Sequence, residues 1–323
     1  MRARAGWWGA IAGGILFPVV VRDPYLLQIG VMILLNVILA SSLNLVMMTG
    51  QIPISHAAFM GLGAYASALV VTRAGISFWV ALPLAGIIAA GIGALLGLAT
   101  LKARGIYFAM ATFAFGEVVR MVFIGWVSVF GGANGITNVP APAPIALPWG
   151  GGMDFTSKRG FYWLTLAVTL AVVWCSGRLV RSRVGSLLRS LHDSESLAES
   201  VGVRSMRLKC AVFALACGAS GLAGSLYAHH FRYISPQSFT FVESVQVIVF
   251  VVVGGGGTVA GPILGAAFLT VLPELLRSAV EYQRLIFAVV LIGTLLFCPR
   301  GIVGLLEPLR TWRAGRRQAA SHA

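Results

Sequence analysis

Residues 24–72 read PYLLQIGVMILLNVILASSLNLVMMTGQIPISHAAFMGLGAYASALVVT, 49 residues without a single Asp, Glu, Lys or Arg. A helix crosses a hydrocarbon core of about 30 Å in about 20 residues. The run is long enough for two crossings and too apolar to face water. Pro53 interrupts it, with Gly50 just before. Proline lacks an amide donor and biases the residue ahead of it away from helix. The stretch therefore predicts a helix over 25–48, a break, and a second helix over 54–72.

The rest of the chain agrees. Of 323 residues, 58% are hydrophobic and 11% charged, with a mean hydropathy of +0.88. Soluble domains carry about 25% charged residues, so this chain cannot cover a water-facing surface. The formal net charge is +14, but the basic residues fall between apolar runs. That is the positive-inside bias of membrane proteins. No groove-like mixture of aromatic and basic residues points to nucleic acid. The four cysteines, Cys175, Cys210, Cys217 and Cys298, form no CxxC pair and read as small packing residues.

On the same length rule the spans are expected at 6–21, 25–48, 54–72, 77–101, 105–128, 161–177, 210–230, 240–254, 259–277 and 284–299. The expected fold is an all-α polytopic membrane protein of about ten transmembrane helices (range eight to ten). Residues 1–323 form one transmembrane domain, and the opening MRARAGWWGAIAGGILFPVVVRD is an uncleaved first span. Four basic clusters then share one side: Arg2 and Arg4; Lys102 and Arg104; Arg178 through Lys209; and Arg310 through Arg317. That side is the cytoplasm, with both termini on it, and Lys158-Arg159 is left outside against the bias. Residues 129–160 are an outward loop rich in Pro and Gly, expected to lack regular structure. Residues 178–209 are the one substantial cytoplasmic segment.

Small residues Ala57, Gly61, Ala64 and Ala68 share a helical face, Gly93 and Gly97 form a GxxxG, and Cys217, Gly221 and Ser225 continue the pattern. These predict helices in close backbone approach. Gln51 and Ser55 are expected to hold free polar groups near the membrane edge, and His56 to bond to backbone rather than to catalyse. Ser55 and His56 point about 100° apart on a helix and cannot share a proton. Glu117 and Arg120 lie midway along the fifth expected span, three residues apart. They can pair there, as a structural link or as a polar patch beside a translocation path. Residues 182–202 predict one amphipathic helix ending at Gly202, with Leu187, Leu188 and Leu191 on one side and His192, Asp193, Glu195 and Glu199 elsewhere. Its three acids suit a groove on a partner protein better than an anionic lipid surface. No GxxxxGK[ST], HExxH or GxSxG sequence is present, so ATP hydrolysis and covalent catalysis are not expected here.

Several blocks together resemble one family. They are TGQIPISHAAFMGLGAYASAL, LKARGIYFAMATFAFGEVVR, GGANGITNVP, SRVGSLLRSLHDSESLAESVGV and YISPQSFTFVESVQVIVFVVVGGGGTVAGPILGAAFLTVLPELLR through LFCPRGIVGLL. In this order, over about residues 36–306, they resemble the LivM-type permease subunits of branched-chain amino acid importers of the ATP-binding-cassette class. The resemblance implies a bacterial inner-membrane subunit with no cofactor of its own. It implies a second homologous permease, two cytoplasmic ATPases that use ATP, and an external substrate-binding protein. It makes 182–202 the ATPase-docking helix, with Arg189, His192, Asp193, Glu195, Glu199 and Gly202 as its candidates. Family members usually carry Glu-Ala-Ala six positions before the Gly; here Ser196-Leu197-Ala198 precede Gly202. Gln51, Ser55, His56, Gly61, Glu117 and Arg120 remain candidates for the translocation path or for helix packing. The alternative is a secondary transporter driven by an ion gradient, for which Glu117 is the deep acidic candidate.

Overall fold

The computed structural model describes residues 13–18, 20, 21, 23–146, 152–276, 289, 292, 293 and 301–304. Among these the long helices are α1 (Pro24–Met47), α2 (His56–Ala74), α3 (Phe78–Thr100), α4 (Ile106–Gly125), α6 (Lys158–Arg181), α9 (Ser205–Phe231), α10 (Phe241–Gly254) and α11 (Ala260–Leu275). Shorter are α5 (Val127–Phe130), α7 (Arg183–Asp193) and α8 (Glu195–Ser200).

The chain is thus an all-α polytopic membrane protein, but the count of ten spans is corrected. Seven segments among the described residues are long and apolar enough to cross a membrane: α1, α2, α3, α4, α6, α9 and Pro236–Gly254. The ninth expected span is α11, whose 16 residues rise about 24 Å, short of the hydrocarbon core. The expected span took in Val259 and Leu276, which flank α11 and are not part of it. The expected spans at 6–21 and 284–299 lie largely outside the described residues.

Two helices form the centre. In α1, 72% of the most apolar window is buried, against 22% in α4. α1 packs on α6, α9 and α11, and α9 packs on α1, α2 and α3. The α3–α9 seam has a plain sequence cause. Ala81, Ala85, Ala89, Gly93 and Gly97 recur every four residues and are all buried, a stripe that lets backbones approach. A Cβ on Gly93 would come 2.6 Å from that of Cys217, and one on Gly221 2.5 Å from that of Ala89. Between α2 and α9 the approach is backbone to backbone: a Cβ on Gly63 would stand 2.2 Å from the Gly221 carbonyl oxygen. Gly61, expected to let a neighbouring backbone approach, instead meets the side chains of Phe239 and Phe123.

The stretch 129–160 is more regular than its composition predicts. Ile136–Thr137 (β1) pairs antiparallel with Tyr233–Ile234 (β4), and Ile145–Ala146 (β2) with Gly152–Met153 (β3). Tertiary contacts outweigh local preference here. Arg73 donates to the Ser128 and Val129 carbonyls, and Trp79 Nε1 to the Ala143 carbonyl. This loop end and the end carrying 182–204 lie at opposite ends of the bundle.

Candidate functional site

Between α1 and α2 the chain does not run along the bundle edge; it folds inward. α2 starts level with Ser42, since Ser42 Oγ lies 3.3 Å from His56 Nε2. Ser42 is five residues before the end of α1, a depth of about 8 Å at the helical rise. The first amides of a helix have no partner within it; one of them, Ala57 N–H, donates to Ser244 Oγ of α10 at 3.1 Å. Just ahead of the helix, Ile54 N–H donates to Thr112 Oγ1 of α4 at 3.0 Å.

The side chains of the same segment are left wanting. Gln51 Oε1, Ser55 Oγ and His56 Nδ1 are buried with no hydrogen-bond partner, as is Ser41 Oγ on α1. Gln51 is 3% exposed, and Ser55 and His56 0%. Ser42 spends its one hydroxyl proton on the Leu39 carbonyl. His56 must therefore donate from Nε2 to Ser42, which leaves Nδ1 as a bare acceptor. An unmet buried polar group costs about 1–3 kcal/mol, so four within one region form a polar seam with no internal purpose. The expectations are corrected on two points: Gln51 and Ser55 are buried rather than at the edge, and His56 bonds a serine rather than backbone.

Beside the seam, Glu117 and Arg120 form the expected pair, at 2.8 Å and 2.9 Å to Glu117 Oε2. Glu117 lines a cleft of about 10 Å³ with Ile54, Ala58, Phe239, Thr240 and Ser244, room for about one water. Gly61 closes the same region through Phe239. The structure brings Gln51, Ser55 and His56 together at the start of α2, with Glu117 across the α2–α4 contact.

The segment 182–202 is two helices, not one. Ser194 is extended (φ −159°, ψ 106°) and its side chain caps α8 by accepting from Leu197 N–H. Serine caps better than it propagates, so it breaks the amphipathic run. Gly202 sits at φ +89°, a left-handed turn that glycine adopts without strain. Glu195, grouped above with the docking residues, is occupied internally. It accepts from Lys209 at 2.6 Å, pairs with Arg104 at 3.1 Å, and is 17% exposed. Burial raises its carboxyl pKa, but the Lys209 hydrogen bond and the charges of Lys209 and Arg104 outweigh that and hold it below the usual carboxylate range. Glu199 accepts from Ser205 Oγ, and Arg189 donates to the Val180 carbonyl. His192 and Asp193 are exposed and 3.5 Å apart. Leu197 and Val201 are 68% and 76% exposed, and Leu187 37%.

The two regions touch. Gly50 turns at φ +79°, and a Cβ placed on it would lie 3.6 Å from His192 Cα. The glycine-rich run after α10 is likewise anchored. Asn44, 2% exposed, donates to the Thr258 carbonyl and accepts from Gly257 N–H. Arg104 and Lys209 were read from sequence only as members of basic clusters, and Ser42, Thr112 and Ser244 were not singled out. Ser42 and Asn44 stand out as polar residues in an apolar run; Thr112 and Ser244 lie far from their partners in the chain and carry no such signal. Among the described residues no group of three His, Cys, Asp or Glu is arranged to hold a metal ion.

Comparison with known proteins is consistent over most of the chain. The family described as "Branched-chain amino acid transport system / permease component" matches residues 25–297. The LivM permease protein of the high-affinity branched-chain amino acid transport system of Salmonella typhimurium is 32% identical over 307 residues, 90% of this chain and 72% of that one. The Escherichia coli K12 LivM protein is 32% identical, over 87% of this chain and 70% of that one. The autoinducer 2 import system permease protein LsrC of Salmonella typhimurium is 28% identical, over 86% of this chain and 79% of that one. No solved structure matches.

Proposed function

The chain belongs to the permease-component family of branched-chain amino acid transport systems, and from that premise we propose its cargo, its partners and its route. It is a multi-pass inner-membrane permease subunit of an ATP-driven importer and is not itself catalytic. The cargo is a branched-chain amino acid or a related small polar solute, and the path passes the Gln51–His56 seam. One observation carries this: unmet acceptors on Gln51 and His56 and unmet hydroxyls on Ser41 and Ser55, in a segment with no internal use for them. Acceptors of this kind suit the ammonium or amide of a passing solute.

Arg104, Arg178, Arg181, Arg183, Arg189, Arg204, Arg207 and Lys209 gather at the 182–204 end, which supports assigning it to the cytoplasm. The loop 129–160 then faces outward. Two ATPases dock on α7 and α8, where exposed Leu187, Leu197 and Val201 stand beside His192 and Asp193. Gly50 against His192 would carry their motion to the start of α2. A second permease covers α4: its Ile106, Tyr107, Met110, Val118 and Met121 are exposed, and Glu117 and Arg120 are about a quarter exposed on the same helix. Charged groups at that depth belong against protein rather than lipid.

The test is to reconstitute the chain with its co-purifying subunits and an external binding protein, and to follow ATP-dependent leucine uptake. Gln51→Ala and His56→Ala should each lower the rate about tenfold or more, a loss of one or two hydrogen bonds to solute. ATPase recovery should not change. Uptake at the wild-type rate in both variants would refute the route.

A further inference from the structure

A second polar space lies at the other end of the bundle. It is a cavity of about 300 Å³ lined by residues that include Gln28, Phe155, Lys158, Phe161, His230 and Arg232. We propose that this cavity is an entry vestibule that takes the carboxylate of a small amphipathic solute, held by Lys158 and Arg232 with the apolar part on Phe155 and Phe161. The proposal rests on the cargo reading above and deepens it.

Among the described residues the lining contains two cations and no carboxylate. The nearest acid in sequence, Asp154, is already engaged by the amide and hydroxyl of Thr156. Among the described residues Lys158 makes one long contact, 3.3 Å, to the neutral Gln28 Oε1. Two cations against low-dielectric walls concentrate anions at a mouth. The volume is at the lower end of the range for small-molecule pockets, so it fits a solute of amino acid size and not a folded segment. The aromatic wall is ordered: Phe161 packs at 4.9 Å on His230.

The frame is built to hold that shape. His229, beside His230, gives its Nδ1 proton to the Pro140 carbonyl at 2.7 Å, because a carbonyl can only accept. Its Nε2 then accepts from Ser67, and Ser67 accepts from Ser225. This closed chain fixes the 138–141 loop over the cavity, with every member satisfied. Arg232 ends α9 at φ +56°. Glycine is the default at such a left-handed terminus. An arginine there carries backbone strain, and strain of this kind gathers at functional positions.

Two measurements on the reconstituted importer test the inference. The first is binding of 4-methylpentanoate, a carboxylate without an amine, to the complex in nanodiscs without ATP, with isoamylamine as the amine lacking a carboxylate. The second is leucine uptake. Wild type should bind 4-methylpentanoate and not isoamylamine. Lys158→Gln and Arg232→Asn should each weaken that binding about tenfold, one lost charge-assisted contact. Both should raise the half-saturating leucine concentration with the maximal rate kept. Asn tolerates positive φ, so Arg232→Asn removes the charge without the turn, and Lys158→Arg should retain binding. Equal binding in wild type and variants, or none in wild type, overturns the vestibule. So does a loss of rate restored by excess binding protein, which would make these cations a contact for that protein. Wild-type binding of the carboxylate with no leucine uptake would instead overturn the cargo reading and leave the vestibule standing.

Discussion

At the residue scale, single positions decide whether helices can meet. Gly224 faces Met60 so closely that a Cβ would stand 1.8 Å from its carbonyl oxygen, and one on Gly63 would stand 2.2 Å from that of Gly221. Gly224→Ala and Gly63→Ala should each destabilise by about 1–3 kcal/mol or more, the cost of overpacking. Gly91→Ala, with open space around it, should be neutral or slightly stabilising, since alanine is the better helix former. Thermal unfolding in detergent would separate them. Glu195 makes a second prediction. Its folded pKa is lowered, so the stability it contributes is present above its unfolded value of about 4.3 and is lost as pH falls through the lower folded value. Amide protection factors in α7 and α8, with the pH dependence of intrinsic exchange divided out, should therefore be unchanged from pH 8 to pH 5 and fall only below about pH 4. In Glu195→Gln they should be low throughout.

Elements add what residues cannot. The amphipathic pattern of 182–202 was legible, and its docking role is a proposal. Its division at Ser194 was not legible: a cap and a mid-helix serine look alike until the next turn is placed. The division exposes Leu197 and Val201 on a short helix whose Ala198 is buried. Leu197→Asp with Val201→Asp should reduce co-purifying ATPase about tenfold or more, as expected when apolar anchors leave an interface centre. The chain itself should remain in the membrane at normal yield. Retained ATPase would place the docking surface elsewhere. The same scale explains the miscounted span: hydropathy windows register apolar length, and α11 is apolar for longer than it is helical.

Across the whole molecule, sidedness is the open consequence. In a Cys175→Ser background, a cysteine at Ser196 and one at Thr156, both exposed, should react with a membrane-impermeant maleimide from opposite faces, Ser196 only from the cytoplasm. Labelling of both from one face would break the topology. Composition and the 49-residue uncharged run sufficed by themselves to determine a polytopic helical bundle, the spacing of small residues marked Gly93, Gly97, Cys217 and Gly221 for close packing, and the quoted sequence blocks carried the family likeness. These are local or periodic properties, carried by neighbours along one helix. Only the tertiary structure decided that Gln51 Oε1, Ser55 Oγ and His56 Nδ1 are buried without partners, that Glu195 faces inward, and that Lys158 and Arg232 share a cavity with no acid among its described residues. Each of those facts depends on which atoms from distant segments arrive, or fail to arrive, within hydrogen-bonding distance. No periodicity in a single chain encodes that.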